Sequence, residues 1–328
     1  MTLPAVSRRS LLAGSAAVAA GLALPPARHA LAEVPKPLGG QSPAFYRFRV
    51  GEAEVTVVAD GVFQAPPAAL LPGAPPAEVE AALKAARVPA DKITLPIAPV
   101  VVNTGRNLVL IDAGSGPNFG PTGGRLQAQL ALAGYQPGDF DTVVVTHAHP
   151  DHIWGAVTDD GTAARFPNAA VYLAETENGF WTDPGLPSRV PEGMKGMVEG
   201  TARTIAALGS KVQLVQPGKE IVPGLSGIAT PGHTPGHMSI RVASGDAQLI
   251  VNGDVAHVAA LQMAHPDWQF SFDSDPAQGV ETRKKQLDML ATDGLLVAAY
   301  HFPWPGVGYV AREGGVYRWV PVEWELTL

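Results

Sequence analysis

Apolar positions along this chain fall mainly into short β-branched runs, which predicts a fold built on strands. Phe45–Val50 and Glu54–Asp60 read as a strand pair joined across Gly51, with Asp60-Gly61 as the turn that follows. Pro99–Asn103 and Leu108–Asp112 read as a second pair over Thr104-Gly105-Arg106-Asn107. The run Thr142-Val143-Val144-Val145 reads as a short buried strand. Further on, Gly227–Thr230, Met238–Val242 and Gln248–Asn252 give three strands in succession, and Leu295–Tyr300 reads as the final one. Helical spacing is confined to three places. Leu126, Leu130 and Ala133 form one face ended by Gly134, and Val198, Ala202, Ile205 and Leu208 another ended by Gly209. A longer helix runs from about Pro276 to Thr292. The Pro/Ala-rich stretch Ala65–Pro76 reads as a surface excursion, either a plain linker or a pocket flap. Two packed sheets with helices outside, an α/β (α+β) sandwich, fit this order better than a doubly wound parallel sheet. No break in composition divides residues 33–328, which are expected to form a single domain.

The first 32 residues read differently. Ser7-Arg8-Arg9-Ser10-Leu11-Leu12 is a twin-arginine sequence, and a weakly apolar segment follows it to Leu24. Ala30-Leu31-Ala32 then offers a cleavage site before Glu33. The apolar segment spans 14 residues, short of the ~20 that cross a bilayer, so residues 1–32 are expected to be a twin-arginine export signal rather than an anchor. The expected location is periplasmic or secreted, and the mature protein is not expected to span a membrane.

Charge narrows the partners. Residues 1–32 hold three of the 23 Lys and Arg and none of the 30 Asp and Glu, so the remainder carries −10 with His neutral. Such a surface argues against nucleic acid or an anionic membrane. Cysteine is absent, which excludes disulfides and leaves only N and O ligands for any metal. The sequence leaves a homodimer open.

Candidate chemistry centres on Thr146-His147-Ala148-His149-Pro150-Asp151-His152, directly after an apolar strand. His147 and His149 stand two apart, so extended backbone points both rings the same way. Asp151 and His152 follow where the chain must turn, and aim at a second point nearby. One metal held by the pair and another by the Asp-His couple is the expected outcome. The alternative, a polar turn rich in histidine by chance, fits poorly in a chain with nine His. Three further strand ends carry suitable groups: His233 in Thr230-Pro231-Gly232-His233-Thr234-Pro235-Gly236-His237, Asp254 after Asn252-Gly253, and His301 after Ala298-Ala299-Tyr300. Ligands from unrelated strand ends converge on one sheet edge.

This combination of H-x-H-x-D-H, T-P-G-H-T-P-G-H, N-G-D and a late strand-end His resembles the metallo-β-lactamase superfamily, over nearly all of residues 33–328. The resemblance implies a four-layer αβ/βα sandwich with a binuclear site along one edge. It implies that His147, His149 and His233 hold one metal, that Asp151, His152 and His301 hold the other, and that Asp254 bridges them. Asp112, in Leu110-Ile111-Asp112-Ala113-Gly114, matches the family's D-x-G turn and would support a ligand. Five imidazoles and two carboxylates suit two Zn2+, with Mn, Co or Fe as other candidates. Two such ions ~3.5–4 Å apart can share a hydroxide, which implies hydrolysis of an ester, lactone, phosphotriester or amide.

Within the superfamily, missing Cys excludes the zinc β-lactamases that use one, and Asp254 argues against the classes that lack a bridging carboxylate. Flavin-linked diiron reductases carry Glu where His149 stands. Export and acidity argue against transfer-RNA processing, and the basic elements that bind glutathione in hydroxyacylglutathione hydrolases are not evident. The pattern looks most like the methyl parathion hydrolase group and its lactonase relatives. Phe119, Trp181, Phe270 and Phe272 would line an apolar slot for a flat or aromatic small molecule. Asp254 and Asp151 are the catalytic carboxylates of this reading. His257 is read as a donor to a carbonyl or leaving group; quorum-signal lactonases carry Tyr near this place, which argues against acyl-homoserine lactones as preferred substrates. The expected function is aryl lactone or ester hydrolysis with promiscuous phosphotriesterase activity. The alternatives are a dedicated organophosphate hydrolase and a non-catalytic metal-binding protein, for which a shared carboxylate would have no use.

Overall fold

In the computed structural model β1 (Phe45–Val50) turns at Gly51, where φ is 57°, and pairs antiparallel with β2 (Ala53–Val58). The structure describes residues 44–325 and 327, so the leader and cleavage site expected at residues 1–32 lie outside the described residues. In chain order the next strands are β3 (Gly61–Ala65), β4 (Ile93–Ile97), β5 (Val100–Asn103), β6 (Leu108–Ile111), β7 (Thr142–Val144), β8 (Ala170–Ala174) and β9 (Val212–Val215). A first sheet takes the order β1-β2-β5-β6-β7-β8-β9, antiparallel up to β6 and parallel from β6 to β9. A second sheet runs in sequence order through β10 (Glu220–Val222), β11 (Leu225–Ala229), β12 (Met238–Ser244), β13 (Ala247–Val251), β14 (Leu296–Ala298), β15 (Val307–Glu313) and β16 (Val316–Pro321). The helices are α1 (Pro67–Leu70), α2 (Pro76–Ala85), α3 (Leu126–Ala133), α4 (Pro150–Ile153), α5 (Glu175–Trp181), α6 (Lys195–Leu208), α7 (Ala259–Gln262) and α8 (Pro276–Asp293).

Burial on both faces explains the continuous apolar runs. Val100, Val102 and Ile111 face inward with Val55 and Val57, against Ile240, Val242, Leu249 and Val251 of the second sheet. Val101, Leu110 and Val143 face the other way, against Leu126 and Leu130 of α3 and Val198 and Ile205 of α6. On the far side, Ile250, Val297 and Val310 meet Leu287 and Leu290 of α8. The layers therefore run helix, sheet, sheet, helix. Helix ends follow local chemistry. Gly134 closes α3 with φ of 96°, and Asp275 caps α8 by accepting the Gln278 amide at 3.0 Å, with Pro276 at the first helical position. No helix of the described residues is long and apolar enough to cross a membrane.

Three expectations change. Asp60-Gly61 is not a turn, because the chain passes from β2 into β3 and Asp60 is buried, accepting the amides of Ser115, Gly124 and Leu126 at 2.8–3.1 Å. Ala65–Pro76 is neither linker nor free flap, since Leu70 and Leu71 pack with Leu83, Leu95, Leu261 and Phe270 in a small core of their own. Leu295–Tyr300 is not the last strand: β14 is shorter, and a β15–β16 hairpin follows through Gly314-Gly315, both at positive φ.

Candidate metal centre

Strand β7 delivers its C-terminal end to the junction of the sheets. Asp112, at the end of β6 with φ of 60°, accepts the Thr146 amide at 2.8 Å and the Thr146 hydroxyl at 2.9 Å, which fixes the exit. From there the extended chain sets His147 Nε2 3.0 Å from His149 Nδ1. The buried Ala148 between them turns into the core. His149 precedes Pro150 and is held extended at ψ 155°, after which α4 rotates Asp151 and His152 toward a second point. The turn after β11 brings His233 Nε2 to 2.9 Å from His149 Nδ1. Asp254, after β13, sits at the centre: its carboxylate lies 3.1–3.7 Å from ring nitrogens of His147, His152, His233, His257 and His301. Ligand atoms of His147, His149 and His233 form one group, and those of Asp151, His152 and His301 another, each within 4.8 Å.

These groups fit divalent ions. Four histidines have their outward nitrogen engaged: His147 with Thr146 Oγ1 at 3.2 Å, His152 with Asp112 at 2.9 Å, His233 with Asp273 at 2.9 Å and His301 with the Pro96 carbonyl at 2.7 Å. Donation outward leaves a lone pair on the inward nitrogen. The inward nitrogens of His147, His149 and His233 converge to 2.9–3.0 Å, near the roughly 3.3 Å that separates nitrogens around tetrahedral zinc. Buried His152 Nε2 and Asp254 Oδ1 also lack a hydrogen-bond partner.

Protons and metal compete for this site. Burial, with neighbouring histidines, holds His147 and His149 well below the usual imidazole range. Burial opposes charge on His233 and His152 too, but carboxylates outweigh it. Asp254 and Asp273 raise His233 to about 9, and Asp254, Asp151 and Asp112 raise His152 well above its ordinary value. In metal-free protein the His233 proton therefore stabilises the fold fully below about 6.5, and that contribution fades as pH rises through about 9. Metal uptake at pH 7 is then expected to release about one to two protons per chain. Calorimetry in buffers of differing ionisation enthalpy measures this number, and a value of zero contradicts the assignment.

A cavity of about 160 Å³ opens on the cluster, walled by Phe63, Leu95, Phe119, Met197, Phe270 and Phe272 together with the ligand side chains. Phe119, Phe270 and Phe272 thus stand in one slot with His257, whose ring stacks on Phe270 at 3.5 Å and 11°. Trp181 stands elsewhere. It is buried behind His149, edge-on at 5.4 Å, and its Nε1–H donates to Glu177 at 2.7 Å. Its place on α5 turns it inward, which sequence proximity to the ligands does not disclose.

Several supporting residues carried no local signal. Glu177 accepts four hydrogen bonds beneath the ligand turns. Arg283, buried on α8, donates to the carbonyls of Val255, Pro266 and Trp268 and reaches Asp273. Tyr300 stacks on His152 at 4.0 Å and donates to the Asp151 carbonyl at 2.7 Å. A Tyr directly before a ligand His was the nearest thing to a clue.

A family model, the metallo-beta-lactamase superfamily, matches residues 93–301. Among solved structures, AidC, a dizinc quorum-quenching lactonase in complex with a homoserine product, superposes with a TM-score of 0.82 at 27% identity, over 86% of this chain and 98% of its own. The hydrolase AbOPH of the beta lactamase superfamily superposes at 0.81 and 32% identity, over 87% of this chain and 100% of its own. Human (Homo sapiens) metallo-beta-lactamase domain-containing protein 1 is 31% identical over 192 residues, 56% of this chain and 58% of its own. The chain spans 42–61% of the length of the curated relatives it matches.

Proposed function

We propose, from the premise that this chain belongs to the metallo-beta-lactamase superfamily, that it is a binuclear metal-dependent hydrolase of aryl lactones and aryl esters, with slower turnover of phosphotriesters. The observation that carries the reading is the small aromatic cavity opening directly on the His/Asp cluster. Its volume of about 160 Å³ is close to the roughly 150 Å³ that holds one benzene ring, so an aryl group fits it. Likeness to AidC, a lactonase, supports ring-opening ester chemistry.

Bound between the two ligand groups, divalent ions, with zinc the first candidate, would supply a water-derived nucleophile at neutral pH and polarise the scissile bond. The chain's own residues do the rest. Asp254 gathers five imidazoles into one arrangement and would be shared by both groups. Asp151 adds a second carboxylate on the cavity wall. Phe272, tilted 58° against Phe270 at 5.7 Å, and Phe119 would line the space for a flat substrate. Burial lowers the His257 pKa to about 3, so its ring is neutral at pH 7, with Nε2 3.1 Å from Asp254 Oδ2 at the cavity wall. Aryl substrates follow from the leaving group, since a phenolate, from an acid of pKa ~10, departs far more readily than an alkoxide.

Turnover of dihydrocoumarin, an acyl-homoserine lactone, a paraoxon-type triester and a β-lactam by metal-replete protein tests the reading. The aryl lactone should lead. A triester with kcat/KM well above every lactone would make the protein an organophosphate hydrolase instead. His257→Ala should lower lactone turnover about 10²-fold and triester turnover less, because a donor aimed at a planar carbonyl need not suit tetrahedral phosphorus. Equal losses on both would remove His257 from the carbonyl-donor role. The proposal also holds that Arg8-Arg9 and Ala30-Leu31-Ala32 direct export, so mass spectrometry of exported protein should find an N-terminus near Glu33.

A further inference from the structure

Thr230–His237 repeats Thr-Pro-Gly-His, yet among its two histidines His233 alone points at the other ligand nitrogens. The second half serves another purpose. His237 Nε2 accepts the Asp254 amide at 2.9 Å while its Nδ1 faces Thr230. Thr234 and Gly236 turn instead toward Glu177 of α5, a carboxylate that is fully buried.

One Glu177 oxygen accepts the Ala148 amide at 2.8 Å and Trp181 Nε1–H at 2.7 Å; the other accepts the Thr234 hydroxyl at 2.7 Å and the Gly236 amide at 3.0 Å. The first oxygen therefore holds the residue between His147 and His149, plus the indole packed on His149. The second holds the backbone just beyond His233. The approach is close enough that a Cβ on Gly236 would lie 2.2 Å from the Glu177 nitrogen. The two chain segments meet directly through the Met238 amide and the Thr146 carbonyl at 3.0 Å, and Glu177 ties them a second time nearer the ligands.

We infer that Glu177 is the positioning residue that sets the spacing of His147, His149 and His233, and so the affinity of that one metal position. The Asp151-His152-His301 group has anchors of its own, because Asp112 and the Pro96 carbonyl hold His152 and His301, and it meets the first group through Asp254. A carboxylate suits this task better than an amide. Every partner is a donor, and Gln would turn an NH2 group against two of them. The inference rests on the metal reading above and adds a division of labour to it.

Glu177→Gln tests it, with Zn2+ as the probe in competition with a chromophoric chelator and elemental analysis after dialysis. Wild type should retain about two ions. The variant should bind one of them about 10–100-fold more weakly and retain about one, with the other weakened much less. Leu130→Ala, on the buried face of α3, supplies a control of general destabilisation and should keep both ions even where its melting temperature falls as far. Should Glu177→Gln fail to fold, Thr234→Val removes one arm and should shift the same ion's affinity by a smaller factor. Unchanged binding in the variants, or equal weakening of both ions, overturns the inference. Wild type that binds no zinc overturns the metal reading itself.

Discussion

Replacing Asp254 with Ala is expected to reduce bound metal from about two ions per chain to fewer than one, and to lower turnover at least about 10³-fold. The prediction follows from geometry. Five imidazole nitrogens lie 3.1–3.7 Å from this one carboxylate, so its removal takes a ligand from both groups at once. Without bound metal, the pKa of attacking water rises from ~7 back far above neutrality, and the electrophile loses its Lewis acid. In metal-free protein the loss has a second face. Asp254 helps to raise His233 and His152 against burial, so its removal lowers both toward the usual imidazole range, with Asp273 still on His233 and Asp112 and Asp151 still on His152. Elemental analysis and steady-state kinetics on one preparation check the prediction. A variant holding two ions with near wild-type kcat contradicts it.

The second large effect is on stability. Arg283→Ala is expected to destabilise the fold by about 3–5 kcal/mol, since it leaves a buried carboxylate and several carbonyls without their partner. The guanidinium is 1% exposed and donates to Val255, Pro266 and Trp268, at 2.6–3.1 Å, from a helix on the opposite side of the loop that carries His257, Phe270 and Phe272. Its contact with Asp273, itself the partner of His233, extends the effect to the metal group. Arg283→Lys should recover little, because one ammonium cannot reach separated carbonyls as a planar fork does. Denaturant titration reads the difference, and a loss below about 1 kcal/mol would mean the loop is held by other contacts.

The ligands were legible because the chemistry is local. His147, His149, Asp151 and His152 fall within six positions at a strand end, and His233, Asp254 and His301 each follow an apolar run. The sandwich was legible for a similar reason, since Val100-Val101-Val102 and Thr142–Val145 are apolar on both faces, as layers between helices require. What escaped were groups whose meaning depends on distant chain. Glu177 and Asp273 look like ordinary acids, and Arg283 lies on a charged helix beside Lys284 and Lys285. Their burial exists only once α5 and α8 are docked. Trp181 lies outside the slot because sequence proximity to ligands does not fix which face of α5 an aromatic residue occupies. Asp60-Gly61 has the composition of a turn, yet three amides from residues 115–126 draw that carboxylate inward. The final hairpin does carry a local signal, Gly314-Gly315 between alternating segments.

The most direct measurement is a metal titration of stripped protein, following dihydrocoumarin hydrolysis and ion content in the same samples. The account predicts negligible hydrolysis without metal and full activity only as content approaches two ions per chain. Hydrolysis that survives metal removal, or its absence in protein holding two ions, would contradict it.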